Sequence, residues 1–195
     1  MIRWAASHPE WVLGFGDECW WSRLHDPNCS AWSVEEEVVR LLDKRDWLQK
    51  GEAKALACYG LLRGDTGKLL LRFVQGRPVS EITEAFLAWV GEVLAAEGKQ
   101  ALLLIWDNAA WHTSQRVRAW ISRHNRQVRK HGGVRIVVCW LPTKSPWLNN
   151  IEPKWIHGKR AVAEPNAVLA GEEVVRRACA YYAHPVLPHL SKAVA

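Results

Sequence analysis

The chain has 195 residues, 49% of them apolar and 24% charged, which excludes a disordered polyampholyte and suits one globular domain with appendages. Its longest clean apolar run, Ala101 to Trp106, is far too short to cross a bilayer, and the N-terminal MIRWAASHPEW lacks the apolar stretch of a signal peptide. No membrane partner is therefore expected, and a cytoplasmic setting is. Five scattered cysteines without a C-x-x-C pair argue against a disulfide framework or a thiolate zinc site. Cys179, His184 and His189 lie together in the tail but lack a known ligand spacing.

Charge is unevenly spread along the chain. Residues 1–107 hold 12 Lys/Arg and 16 Asp/Glu, whereas residues 108–163 hold 11 Lys/Arg and a single acid, Glu152. A basic block with one acid in it is a candidate polyanion-binding surface; a solvated helical face is the plainer alternative. Thirteen tryptophans belong mostly to the core, with a few available for stacking on bases.

In chain order, WVLGFG (Trp11–Gly16) predicts a strand running into Asp17 and Glu18. Residues 29–54 are polar, with the acidic run Glu35-Glu36-Glu37, and predict a surface excursion with some helix. Two apolar runs, Lys54–Leu62 and Lys68–Val74, flank a Gly- and Asp-rich turn and predict an antiparallel hairpin. Ser80 is expected to cap a helix with Ile82, Phe86, Trp89, Val90, Val93 and Leu94 at helical spacing, ended by Gly98. Ala101–Trp106 reads as a strand buried on both faces. A second helix starts at Thr113 or Ser114, with Val117, Trp120, Ile121 and Val128 on one face and a row of arginines on the other. Val134–Leu141 is a further buried strand, broken by Pro142, and a last helix should begin near Asn149 or Asn150. The pattern predicts an α/β fold: a mixed five-stranded sheet, antiparallel hairpin strands plus parallel strands, with helices on both faces.

Three acids fall where the strands of such a sheet would form a site. Asp17 ends the first strand, Asp107 closes ALLLIW, and Glu152 opens the last helix. An aspartate or glutamate also suits a helix N-terminus, which is the bland reading of Asp107 and Glu152 taken singly. Brought together, three carboxylates repel one another unless protonated or neutralised by a cation. Hard oxygen ligands of this kind suit Mg²⁺ or Mn²⁺.

These residues resemble a known family. WDNAAWH (Trp106–His112) and LPTKSPWLNNIEPKWIHGKR (Leu141–Arg160) resemble the second and third catalytic blocks of DDE transposases, closest to the mariner-like bacterial insertion-sequence branch, also described as DDE superfamily endonucleases. LGFGDECWW (Leu13–Trp21) resembles the first block. The third block is the specific one, and the resemblance covers residues 10 to 165. It implies an RNase H-like catalytic domain over residues 1–165, followed by a C-terminal helical tail over 166–195. It also implies that Asp17, Asp107 and Glu152 are a metal-binding catalytic triad, with Asp17 rather than Glu18 as its first member. Two Mg²⁺ or Mn²⁺ ions, bridged by Asp17, would support DNA strand cleavage by water and strand transfer by a DNA 3′-hydroxyl.

The implied partners are double-stranded DNA, both transposon ends and target, and a second copy of the chain in a homodimer. A bacterial, nucleoid-associated location follows from the same resemblance. Within this frame Lys144 and Trp147, in the loop before Glu152, and Lys159 and Arg160 on the last helix are the DNA-binding candidates. Lys159 shares the face of Glu152, seven residues on, whereas Lys154 does not. Arg116 and Arg123 would track a longer stretch of backbone. Asn108 and His112 would orient Asp107 or contact DNA, or serve as ordinary structural groups.

The sequence departs from the family pattern in three places. Asn150 stands where many relatives have proline, and 44 residues separate Asp107 from Glu152, more than is usual for the branch. Only 16 residues precede Asp17, so the helix-turn-helix domain that recognises transposon ends is expected on another chain or missing. Two other readings stay open: a catalytically inert DNA-binding remnant, and an RNase H-like nuclease.

Overall fold

The computed structural model describes residues 2–24, 53–163 and 168–191. The expected excursion at 29–54 lies almost wholly outside them, as does the boundary at 165. The elements run α1 (Ile2–Ser7), β1 (Trp11–Ser22), β2 (Ala55–Arg63), β3 (Leu69–Phe73), α2 (Ser80–Ala96), β4 (Ala101–Trp106), α3 (Ala110–Thr113), α4 (Gln115–His131), β5 (Arg135–Trp140), α5 (Glu152–Val162) and α6 (Gly171–Tyr181). The five strands form one sheet in the order β3-β2-β1-β4-β5. β2 pairs antiparallel with β1 and with β3, while β1–β4 and β4–β5 are parallel. This is the mixed sheet that the apolar pattern predicts, and its fold is RNase H-like.

Alternation along β1 sorts its side chains onto two faces. Val12 joins Leu102, Leu104 and Trp106 of β4 beneath α2 and α4. Cys19 and Trp21 join Phe73, Trp155 and Val175 beneath α5 and α6. Leu103 and Ile105 turn to the same side as Leu13 and Phe15, where α1 contributes Ala5. β4 is buried at every residue, as a strand covered on both faces must be. The segment after Val162 is part of the same core: Leu169, Val174 and Ala178 pack beside Trp155, and Leu190 bridges to Val74 at the edge of β3.

Three boundaries differ from expectation. β1 does not end at Asp17 but continues to Ser22, because its pairing with β2 runs from Gly14 to Ser22 while its pairing with β4 stops at Phe15. Asp17 therefore lies inside a strand, just beyond the point where β4 leaves it. Ser80 does not cap α2; Val79 holds the cap position, and the Ser80 hydroxyl lies 2.9 Å from that of Ser114. Ser114 does cap α4, accepting from the Val117 N–H. The last helix, expected near Asn149 or Asn150, begins at Glu152 with Ile151 at the cap position.

The turn between β2 and β3 is anchored by Arg63, whose side chain is only 2% exposed. It donates to both oxygens of Asp65, at 3.0 and 2.8 Å, and to Glu97 at the end of α2, at 2.6 Å. Both acids remain partly exposed, so losing the guanidinium strands no buried charge. Arg63→Met should cost about 2 kcal/mol, the value of a few charge-assisted hydrogen bonds. A urea midpoint unchanged from the parent would show that this tie is not needed.

Candidate active site

The parting of β1 from β4 creates the site. The last parallel pair is Phe15 opposite Ile105. Continuing that register by two residues sets Asp17 across from Asp107, both on the α5 side of the sheet. β5 runs beside β4 to Trp140, and the connection from Leu141 to Asn149 folds back over the strand ends. A cleft of about 260 Å³ opens there, lined by Asp107, Asn108, Lys144, Ser145, Asn149 and Glu152 among others. Lys144 turns the connection in the left-handed region, at φ 56°, a conformation costing a lysine on the order of 1 kcal/mol.

Each acid is held differently. Asp17 accepts a 3.0 Å hydrogen bond at Oδ2 from the Trp155 indole N–H. Trp155 lies over Gly60, the β2 partner of Asp17; a Cβ at Gly60 would come within 2.4 Å of the indole ring. Only glycine leaves room for that ring to reach Asp17. Burial, with the nearby Glu18 and Glu152 carboxylates, pushes Asp17 up to about 7.

Asp107 is half-exposed, and its Oδ1 accepts from the Ala109 N–H at 3.1 Å and lies 2.6 Å from His112 Nδ1. Partial burial works to raise its pKa, but these bonds prevail and hold it below the usual carboxylate value. Glu152 is raised by burial and by Asp107, while Lys159 pulls it back. Glu152 is thus electrostatically linked to both aspartates.

His112 is fully buried, with its ring stacked on Trp106 at 3.8 Å between centroids. Its Nε2 lies 2.7 Å from Glu18 Oε1. Burial alone would depress its pKa; the two carboxylates overcome this and lift it to about 9. Glu18 points to the face opposite Asp17, as strand alternation requires.

The other expected residues fall into groups. Asn108 donates to the Leu141 carbonyl at 2.6 Å and so ties the ends of β4 and β5 together. Lys144, Trp147, Lys159 and Arg160 are exposed around the cleft and α5, Trp147 at 74%. Arg123 is exposed on α4. Arg116 is exposed but already engaged, bonded to Glu81 and Glu84 of α2.

Sequence reasoning did not single out Trp155, Gly60 or the side chain of Asn149. Trp155 stands three residues after Glu152, on the same helix face, and that spacing was the available signal. Asn149 is 2% exposed and donates from Nδ2 to the Gly16 carbonyl at 3.0 Å. Its Oδ1 has no hydrogen-bond partner although buried. Asn149 lines the cleft with Asp107 and Glu152.

The donor set suits a hard divalent cation. Its groups are carboxylates whose pKa values are raised in part by one another, beside an orphaned amide oxygen. Among the described residues no three His, Cys, Asp or Glu side chains already form a compact ligand group.

Comparison with known proteins agrees with this architecture. The family model described as DDE superfamily endonuclease matches residues 43–173, more than half of the chain. That span includes Asp107 and Glu152; Asp17 lies before it. No curated protein sequence matches significantly.

Among solved structures, the Mos1 transposase paired-end complex with left transposon end superposes with a TM-score of 0.68 at 14% identity, over 94% of this chain and 51% of that one. The mariner Mos1 paired end complex with Mg gives 0.67 at 14% identity, over 93% and 51%. The corresponding complex with Mn gives 0.66 at 13%, over 89% and 48%. At such identities the likeness is one of fold, and the chain spans about half the length of those chains.

A raised carboxyl destabilises the folded protein once pH exceeds its ordinary value of 3.8, and fully once pH passes about 7. With EDTA present, Asp17→Asn should therefore be more stable than the parent near pH 8, by at most about 4 kcal/mol. The two should melt together near pH 4. Equal melting temperatures at the higher pH would contradict the crowded-carboxylate account.

Proposed function

The chain belongs to the DDE superfamily endonuclease family, and from that premise we propose that it cleaves DNA strands and transfers them, as the catalytic domain of a transposase. The observation that carries this reading is the crowding of acids where β1 parts from β4. Asp17 and Asp107 align in register, Glu152 interacts electrostatically with both, and Asp107 and Glu152 line a cleft together with Lys144. Asp17, Asp107 and Glu152 would hold Mg²⁺ or Mn²⁺; two such ions supply Lewis-acid stabilisation of the attacking and leaving oxygens of a phosphodiester.

The chain's own residues set the stage for that chemistry. Trp155 keeps one oxygen of Asp17 occupied, and His112 with Ala109 keeps one oxygen of Asp107 occupied. The other oxygen of Asp107, which lines the cleft, would be left for a cation. Lys159, close enough to Glu152 to lower its pKa, would attract a phosphate to the same spot. Lys144, Trp147 and Arg160 would contact the flanking strand: lysine and arginine by charge, the exposed indole by stacking on a base. Arg123 would extend the contact along α4. Arg116 would contribute less, since α2 already neutralises it. DNA ends and target as substrate and a homodimeric assembly belong to the same reading. Among the described residues no helix is long and apolar enough to cross a membrane.

Nicking of supercoiled plasmid in Mn²⁺ tests the enzyme against the inert-remnant alternative. The parent should nick, and Asp107→Asn should lose more than about 100-fold, beyond the cost usual for an outer-shell residue. Equal nicking by the parent and the variant, or none by either, would reject the catalytic reading.

A further inference from the structure

We propose that Glu18 is a positioning residue for Asp107, acting through the His112 ring clamped between them; the inference rests on the reading of Asp107 as a metal ligand. Glu18 lies on the face of the sheet away from Asp17, and its side chain is 6% exposed. Among the described residues, its two carboxylate oxygens bond to residues of the turn that follows Asp107. Oε1 lies 2.7 Å from His112 Nε2, and Oε2 accepts from the Trp111 indole N–H at 3.0 Å. His112 in turn reaches Asp107 Oδ1 at 2.6 Å through Nδ1.

A buried carboxylate must be well satisfied to remain there, and here every group that satisfies Glu18 belongs to α3. That helix has four residues, and His112 is its one buried residue. Trp111 sits at the exposed rim. Nothing else in α3 is buried, so His112, held by Glu18 and stacked on Trp106, anchors the Asp107 turn on this side, while Asn108 ties it to Leu141. Stacking on Trp106 sets the plane of the ring, and the two carboxylates set its rotation within that plane.

The consequence is a defined hand for Asp107. Oδ1 is taken by His112 and by the Ala109 N–H, which leaves Oδ2 as the oxygen presented to the cleft. Groups that hydrogen-bond a metal ligand in this way orient it, and their removal typically changes metal affinity about 10–100-fold. A carboxylate two bonds removed, on the opposite face of a strand, thus aims the acid at the end of the neighbouring strand.

Mn²⁺ affinity of the full chain, measured from the electron paramagnetic resonance of free Mn²⁺ at fixed pH, tests this without any turnover. Glu18→Ala should weaken Mn²⁺ binding by about 10-fold or more with the helical circular dichroism retained. The downfield ring N–H proton resonances of His112 should broaden into exchange with water in the same variant. Mn²⁺ affinity within about twofold of the parent, where Asp107→Asn weakens it strongly, would overturn the proposal. If Asp107→Asn also leaves affinity unchanged, the reading of Asp107 as a ligand fails, and the proposal with it. Should Glu18→Ala not fold, Trp111→Phe decides: it removes the indole N–H from Glu18 and keeps an aromatic ring at a partly exposed position, and it should weaken Mn²⁺ binding several-fold. An unchanged affinity in that variant would count against the clamp.

Discussion

Negative charge crowded where two parallel strands part is the constraint on which the rest of this structure depends. The β1–β4 ladder stops at Phe15 and Ile105, yet β1 runs on with β2 to Ser22. The acids that follow, Asp17 within β1 and Asp107 just past β4, are therefore held by different neighbours at one place. Carboxylates so placed cost stability in the absence of a cation, and burial increases that cost for Asp17. The fold tolerates it because sheet and helices fix the backbone on both sides of the fork.

Each acid is restrained from a different layer. Trp155 comes from α5, packed edge-on against Trp21 and Tyr182, and reaches Asp17 across the gap left by Gly60. His112 comes from α3 and approaches Asp107 from the α2/α4 side. Asn149 links the connection before α5 to the Gly16 carbonyl, and the Asn149 carbonyl accepts from the Glu152 N–H at 3.1 Å. The helix that carries Glu152 is thereby tied to the strand that carries Asp17. Rigid elements hold the acids, whereas the cations expected to meet DNA are on exposed, long side chains. That division suits a site that must be preorganised for chemistry and adaptable in binding.

Most of the architecture was legible in the sequence because it depends on local pattern. The doubly buried β4, the hairpin turn at Gly64–Gly67 and the α4 stripe ended by Gly132 are each encoded within a dozen neighbouring residues. The acids were legible as residues that strand ends have no packing reason to carry. What escaped was long-range. Nothing near Asp17 announces that its strand outlasts its β4 neighbour; that follows from pairing with β2, about 40 residues away in sequence. Trp155 resembles any buried helix tryptophan until Gly60 is seen beneath it. Glu18 looked like the rejected neighbour of Asp17, because alternation says which face it takes but not that His112 waits there. The role of the Asn149 side chain is hidden for the same reason: its partner lies 133 residues earlier.

The central claim is that Asp17, Asp107 and Glu152 converge to hold divalent cations. A crystal structure soaked in Mn²⁺, read for anomalous density where β1 parts from β4, tests it most directly. The account predicts Mn²⁺ between Asp17 and Asp107, with Oδ2 of Asp107 as its ligating oxygen and Glu152 completing the site. Anomalous density elsewhere, or Asp17 and Asp107 turned apart with no metal between them, would contradict it.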